Sequence, residues 1–227
     1  MSPGVFVTGT DTGVGKTLAA CALVHALRAR GLRVAPMKPV AAGAVSRDGA
    51  WANEDTLALA RAAGPDAPPL EAITPVLLRE PMAPHIAAAR EGRAIALDAL
   101  VEAHRRLAAQ CDFTVVEGVG GFRVPLGPTE DAGDLAVALG LPVVLVVGMR
   151  LGCLNHALLT AESVGRAGLA LAGWIANAID PAMAGIDENV AALGERLAAP
   201  LLGRFSFAPG ASASDLAGLL DVSPLIT

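Results

Sequence analysis

Two lysines, Lys16 and Lys38, are the residues of this 227-residue chain whose type and position most clearly suggest chemistry. All the remaining residues among the 17 Lys and Arg are arginine. A lysine ammonium is a compact point charge, and the planar guanidinium fork of arginine cannot replace it. Lys16 follows a glycine at the start of a predicted helix, and Lys38 ends a predicted strand. This placement indicates a phosphate site.

The segment around Lys16 has the composition of a phosphate-binding loop. An apolar run at 5–8 leads into Gly9-Thr10-Asp11-Thr12-Gly13-Val14-Gly15-Lys16-Thr17, and a helical run follows to Arg30. In such a turn, backbone N–H groups surround an anion, the lysine reaches the β- and γ-phosphates, and the threonine hydroxyl binds Mg²⁺. One position departs from the G-x-x-x-x-G-K-[ST] pattern, because Thr10 stands where the first glycine is expected. ATP and Mg²⁺ are the predicted cofactors.

A phosphate loop of this kind needs a carboxylate at the end of another buried strand to complete the metal site. Glu117 meets this requirement, since it follows the apolar run 113–116 and precedes a glycine-rich turn at 118–121. Asp55 is a second candidate. From the residues alone, Asp55 is equally well explained as an ordinary residue at the start of a helix.

The elements that would position these residues alternate between apolar runs and amphipathic stretches, the pattern of parallel strands joined by crossover helices. Strands are predicted near 4–8, 33–38, 75–78, 113–117, 142–148, 171–176 and 201–205. Helices are predicted near 15–30, 54–63, 97–110, 133–140, 153–168 and 184–198. We therefore expect one α/β domain over 1–227, with a mostly parallel central sheet of about seven strands and helices on both faces, as in P-loop NTPases.

Composition limits the possible partners. The net charge is −5 and basic residues do not cluster, which argues against nucleic acid. No apolar run reaches about 18 residues, so no membrane segment is expected. Three widely spaced cysteines indicate neither a disulfide framework nor a metal site. The start of the chain has no pattern of a secretory leader, and a cytoplasmic protein is expected.

Taken together, the motifs resemble the dethiobiotin synthetase family over nearly the whole chain. The displaced first glycine of the loop is itself that family's form. The resemblance rests on the loop 7–17, Lys38-Pro39-Val40-Ala41, Val116-Glu117-Gly118 with Gly120-Gly121, Leu145-Val146-Val147-Gly148, Leu151-Gly152-Cys153, Asn155-His156-Ala157, Ala172-Gly173-Trp174-Ile175-Ala176-Asn177 and Pro200-Leu201-Leu202-Gly203.

The resemblance implies Mg²⁺- and ATP-dependent carboxylation of 7,8-diaminononanoate by CO₂, followed by ring closure. Lys38 and Lys16 correspond to its catalytic lysines, and Thr17, Asp55 and Glu117 to its Mg²⁺ ligands. The residues that correspond to its nucleotide site are Thr12, Gly13, Val14, Gly15, Lys16, Thr17, Leu18, Asp55, Glu117, Gly118, Val119, Gly120, Asn177, Ser206, Phe207 and Ala208. Those that correspond to substrate contacts are Thr12, Lys38, Ala42, Leu151, Gly152, Cys153, Leu154 and Asn155. The segment Gly152-Cys153-Leu154-Asn155 comes from the neighbouring subunit in the family, which implies a homodimer with shared active sites.

Three positions depart from the family's usual residues: Gly13 replaces an acid, Ala42 a serine and Ser206 a proline. The change at Ala42 removes a possible substrate contact, and the change at Ser206 leaves purine selectivity open. Two rival classes share the loop. Glutamine-dependent cobyrinate amidases add a glutaminase domain, for which we expect no room here. Switch ATPases of the partitioning or septum-positioning type have a second signature lysine near the loop's start, where this chain has Thr10, Asp11 and Thr12.

Overall fold

The computed structural model of the protein describes residues 3–47 and 50–226, so the outermost residues of the predicted domain 1–227 lie outside it. Its strands are β1 (Gly4–Gly9), β2 (Val34–Met37), β3 (Val40–Ala42), β4 (Val45–Arg47), β5 (Ala50–Ala52), β6 (Val76–Leu78), β7 (Phe113–Gly121), β8 (Val143–Met149), β9 (Leu171–Ala178) and β10 (Leu201–Phe205). Its helices are α1 (Lys16–Ala29), α2 (Glu54–Ala63), α3 (Leu70–Ile73), α4 (Pro84–Arg90), α5 (Leu97–Ala108), α6 (Ala132–Leu139), α7 (Cys153–Arg166), α8 (Ile186–Arg196) and α9 (Ala213–Ala217).

Six strands form the central sheet in the order β10-β9-β8-β1-β7-β2, and every pairing in it is parallel. This arrangement confirms the predicted α/β fold class. The strand predicted near 75–78 is present as β6, but it pairs with β3 in a separate two-stranded sheet. The chain leaves the central sheet at Lys38 and Pro39, because proline has no N–H with which to continue the ladder.

Apolar residues alternate between the two faces of the central strands. Val5 and Val7 pack in a core cluster with α1, α2 and α9, whereas Phe6 packs with α4, α5 and α6 on the other face. The far end of that second face is covered by α7 and α8, which pack on β8 and β9. Strands buried on both sides explain the continuous apolar runs in the sequence. Within the described ranges, none of the helices combines the length and apolar character that crossing a bilayer requires.

Candidate active site

The phosphate loop connects β1 to α1 at the centre of the sheet. Gly15 caps the first turn of α1 with a φ of 87°, a left-handed conformation that glycine adopts without strain. The Lys16 ammonium folds back over the loop and donates to the backbone oxygen of Asp11 at 2.8 Å. The first backbone N–H groups of α1 have no acceptor within the helix, so the loop and the helix start together form an anion cradle.

Two residues from neighbouring strands hold this loop in place. Asn177, on β9, reaches across β8 and donates its side-chain N–H to the backbone oxygen of Val14 at 2.8 Å. Gly148 lies on β8, where it pairs with Asn177 of β9, and it leaves room for the loop. A Cβ atom at Gly148 would lie 2.7 Å from Val14 Cγ1 and from Ile179 Cδ1. The loop therefore packs against strand β8 at a distance that only glycine permits.

A Gly148→Ala substitution should accordingly push the phosphate loop out of position. Forcing a methyl group into such a contact costs about 1–3 kcal/mol, and we expect nucleotide affinity to fall by about tenfold if the loop absorbs that cost. Gly165→Ala is the matched control, because a Cβ there meets no atom within 4 Å. Isothermal titration with ADP should show weakened binding for the first variant only; equal affinities would show that the loop does not depend on this contact.

Lys38 and Glu117 are brought together by the register of two neighbouring strands. Met37 of β2 pairs with Val116 of β7, so the next residues of the two strands lie side by side. The sequence predicted that Glu117 ends its strand. That prediction is wrong, because β7 continues to Gly121. Glu117 pairs with Val7 of β1, and the register shifts just beyond this pair, where the phosphate loop begins.

Lys38 makes an ion pair with each of the two carboxylates. Its Nζ lies 2.5 Å from Glu117 Oε1 and 3.0 Å from Asp55 Oδ2. Lys38 is 4% exposed and Glu117 is 0% exposed. Burial by itself lowers the pKa of Lys38, but the nearby charges of Glu117 and Asp55 outweigh burial and raise it. Burial likewise favours neutral Asp55, yet Lys38 outweighs burial and lowers the pKa of that carboxyl. Both groups are therefore held charged.

Lys16 has a different environment from Lys38. Burial, reinforced by the positive charge of Lys38, lowers the pKa of Lys16 to about 8. Its hydrogen bond goes to a neutral backbone oxygen. Lys16 is thus a buried ammonium whose hydrogen bond goes to a neutral oxygen, which suits a residue that binds phosphate.

The structure tests one of the two interpretations of Asp55, namely that it caps α2. The cap of α2 is Asn53, whose side-chain oxygen accepts from the backbone N–H groups of Asp55 and Thr56 at 3.0 and 3.4 Å. Asp55 directs its carboxylate away from the helix end, toward Thr17 Oγ1 at 2.8 Å and toward Lys38. The explanation of Asp55 as a helix cap is therefore wrong.

Thr17, Asp55 and Glu117 together form a centre that is rich in oxygen acceptors. The Thr17 hydroxyl has one proton, yet it lies 2.8 Å from Asp55 Oδ1 and 2.9 Å from Glu117 Oε1. Glu117 Oε2 is buried and has no hydrogen-bond partner within the described ranges. A buried carboxylate oxygen without a partner is costly. Oxygen donors of this kind fit a hard divalent cation such as Mg²⁺, which keeps some of its waters. The described ranges contain no group of three or more His, Cys, Asp or Glu side chains suited to a metal, so this centre offers two carboxylates and one hydroxyl.

Substitutions at Asn53 and Asp55 should distinguish the role of Asn53 as the cap of α2 from the role of Asp55 in the metal site. Asn53→Ala should lower the free energy of unfolding by about 1 kcal/mol, as expected for loss of a cap. Asp55→Asn keeps the cap and should weaken Mg²⁺-dependent nucleotide binding instead. Chemical denaturation and ADP titrations, with Mg²⁺ and with EDTA, distinguish these effects. Metal-dependent binding that is unchanged in Asp55→Asn would remove Asp55 from the site.

The remaining predicted nucleotide residues lie around the phosphate loop and beyond β10. Val14 is buried, Thr12 and Gly13 are exposed on the outer side of the loop, and Leu18 is half-buried on α1. Val119 and Gly120 continue β7 past Glu117. Ser206, Phe207 and Ala208 are exposed immediately after β10. Asn177 uses one side-chain N–H to hold Val14, so its predicted contact with adenine is left to its other amide atoms.

Apart from Thr12 and Lys38, the predicted substrate residues fall in two places. Ala42 lies on β3, where its backbone oxygen accepts from the side chain of Asn53 at 3.3 Å. The segment 151–155 begins α7: Cys153 is buried, whereas Leu151, Gly152 and Asn155 are exposed. Leu151 is 94% exposed. The Cys153 backbone N–H donates to the backbone oxygen of Arg150, so any anion at this helix start would meet the N–H groups of the following residues.

An ion pair that the sequence did not suggest links the phosphate loop to the segment that precedes α7. Arg150, at the end of β8, donates to Asp11 Oδ2 at 2.7 Å, and the other oxygen of Asp11 accepts from the backbone N–H of Thr12 at 2.7 Å. The phosphate loop is thereby tied to the segment that begins α7. The only signal in the sequence was an arginine at the end of a buried strand.

Residues 3–214 match the family described as AAA domain. The chain belongs to the AAA domain family. This family includes dethiobiotin synthetase. Among solved structures, the septum site-determining protein MinD from Pyrococcus horikoshii OT3, complexed with Mg-ADP, is 20% identical with a TM-score of 0.59, and the match covers 99% of this chain and 89% of that one.

Two further solved structures are similar. For the cell division ATPase MinD from Pyrococcus furiosus, the identity is 19%, the TM-score 0.58 and the coverage 98% of this chain and 91% of that chain. For a ParA family ATPase from Chlorobium tepidum TLS, the identity is 12%, the TM-score 0.56 and the coverage 97% and 100%. At these identities the likeness shows the fold alone, which is that of P-loop ATPases.

Proposed function

We propose that this protein is a dethiobiotin synthetase, which uses Mg²⁺ and ATP to close the ureido ring of dethiobiotin from 7,8-diaminononanoate and CO₂. The observation that carries the proposal is the position of Lys38. Its buried ammonium lies outside the phosphate loop but beside the Thr17, Asp55 and Glu117 oxygens at the loop's open side. In the proposed reaction this cation would stabilise both a γ-phosphate held by the loop and a second anion brought by the substrate.

The proposed reaction needs stabilisation of negative charge and no covalent step with the protein. One substrate amine adds to CO₂ and loses a proton to give a carbamate. A carbamate oxygen attacks the γ-phosphorus, forming a mixed anhydride and releasing ADP. The second amine attacks the anhydride carbon, phosphate leaves, and loss of a proton from that amine completes the ring.

Each site residue has one role in this scheme. The loop N–H groups and Lys16 bind the phosphates, and Lys38 stabilises the carbamate and the transferring phosphoryl group. Thr17, Asp55 and Glu117 would hold Mg²⁺, which supplies charge neutralisation on the phosphate oxygens. Asn177 keeps the loop in its binding conformation through Val14.

The proposal includes a homodimer in which the start of α7 from one subunit binds the substrate carboxylate at the other subunit's phosphate loop. The exposed residues 151, 152 and 155 and the free N–H groups of a helix N-terminus support this role. The proposal also places the reaction in the cytoplasm and involves neither nucleic acid nor a membrane as a partner.

A switch ATPase acting on a macromolecular partner is the alternative, because the similar solved structures include MinD and ParA proteins. Two features favour the enzyme. The start of the loop carries Thr10, Asp11 and Thr12 in place of a second lysine. The second lysine of this chain is instead fixed at the end of β2 by two carboxylates.

ATP hydrolysis measured with and without bicarbonate and diaminononanoate separates the two functions. A dethiobiotin synthetase should release phosphate only when the diamine and bicarbonate are both present. A 2,3-diaminononane control, which keeps the two adjacent amines but lacks the carboxylate, should be a much poorer substrate. Phosphate release that ignores both substrates, or that rises with a protein, DNA or vesicle partner, would contradict the proposal.

A further inference from the structure

Lys38 occupies the same carboxylate oxygens that fit a divalent cation. Glu117 Oε1 accepts from both Lys38 and Thr17, and Asp55 contacts the same two partners through its two oxygens. Of the four oxygens of these two carboxylates, Glu117 Oε2 alone has no partner among the described residues. A cation that used these oxygens would therefore have to share them with the ammonium or replace it.

Charge favours replacement over sharing. The two carboxylates supply two negative charges, and Lys38 contributes one positive charge in contact with both. Lys16 adds a second positive charge close enough for the two ammonium groups to disfavour each other. A divalent cation next to Lys38 would place three positive charges against the two carboxylates, so the ammonium gains by turning toward the phosphates that arrive with the metal.

We propose that Lys38 stands in for the divalent cation in the metal-free protein and leaves Glu117 and Asp55 when Mg²⁺ binds with nucleotide. The ammonium is then free to turn toward the phosphate and the substrate anion. Metal binding and activation of the lysine become one event, so Lys38 meets the substrate only in a site that already holds the metal. This inference rests on the metal site of the proposed function and does not depend on the identity of the substrate.

The two-lysine composition gives a direct test in the unmodified sequence. Protein labelled with ¹³C and ¹⁵N in lysine alone should give two side-chain ammonium signals, and a Lys16→Met variant assigns them. Spectra are compared for the free protein, for ADP with EDTA, for Mg²⁺ alone and for Mg²⁺ with ADP. Lys16 should respond to ADP whether or not metal is present. Lys38 should respond only when Mg²⁺ is present, with a changed Nζ shift and faster hydrogen exchange.

A second measurement asks whether Lys38 competes with the metal. Lys38→Met removes the ammonium at similar length, and it should lower the Mg²⁺ concentration needed for half-saturation by about tenfold or more, as expected when a like charge in contact is removed. Mg²⁺ should also raise the Tm of this variant more than that of the wild type. Arg105→Met is the control, because it removes a positive charge that is exposed on α5 and pairs with Glu102.

Two results would overturn the inference. One is a Lys38 signal that stays unchanged with Mg²⁺ and ADP, or that moves equally with ADP in EDTA, whether or not Lys16 responds. The other is Mg²⁺ binding that weakens in Lys38→Met. Either result leaves ring formation from the diamine to be tested separately, and loss of that activity alone would leave the metal-dependent movement of Lys38 intact.

Discussion

Replacing Lys38 with arginine should lower the rate of ring closure by about 10²-fold or more, the range for removal of one preorganised charge contact at a transition state. The variant keeps the positive charge but not the compact shape. The ammonium lies between two carboxylates in a space where Lys38 is 4% exposed, and a planar guanidinium is too large to take the same position. Steady-state release of ADP with both substrates present measures the loss.

The control for this variant is its folding and its nucleotide binding. Arginine still brings a positive charge near Asp55 and the buried Glu117, so these carboxylates keep a counter-ion and the protein should unfold cooperatively near the wild-type Tm. ADP should still bind, because Lys16 and the loop are unchanged. Near-normal ring closure by a folded Lys38→Arg protein would remove Lys38 from the proposed mechanism.

The second large effect is recovery of activity from two inactive variants. If the start of α7 serves the partner subunit's phosphate loop, the Lys38→Arg and Asn155→Asp proteins damage different halves of one shared site. The Asn155→Asp change would place a negative charge against the substrate carboxylate and prevent its binding. A hybrid dimer has one site with both halves intact. Equal mixing should therefore restore about a quarter of wild-type activity, because half of the dimers are hybrid and each has one working site of two.

Mass spectrometry of the intact dimers provides the control for this mixing experiment. It must detect hybrids, and each parent protein must be inactive alone. Under those conditions, the absence of recovered activity would show that the site lies within one subunit.

The fold class could be predicted from local sequence because each of the seven predicted strands is a short apolar run bounded by turn residues. Which of these strands pair with one another could not be predicted in this way. β6 joins β3 in a small sheet of its own, since nothing in an apolar run of three or four residues states which strand it will pair with. The short strands β4 and β5 and helices such as α9 were missed for a related reason: their few residues give no period to detect.

The site was predictable to the extent that it depends on motifs. The loop at 9–17 and the acid in β7 can be recognised locally, but the distance between Lys38 and Glu117 follows from the order β1-β7-β2, which no local pattern contains. Asn53 shows the same limit on a smaller scale. Either Asn53 or Asp55 is an acceptable cap by residue type, and only the direction of the Asp55 carboxylate assigns the cap to Asn53.

Incorporation of labelled CO₂ tests the central claim most directly. The protein is incubated with ¹³C-bicarbonate, Mg²⁺, ATP and diaminononanoate, and the products are separated and analysed by mass spectrometry and ¹³C NMR. The proposed function predicts one labelled ureido carbon per ADP formed, in a cyclic product that is absent without the diamine. ATP hydrolysis that proceeds with no labelled ring product, at any concentration of diamine, would contradict it.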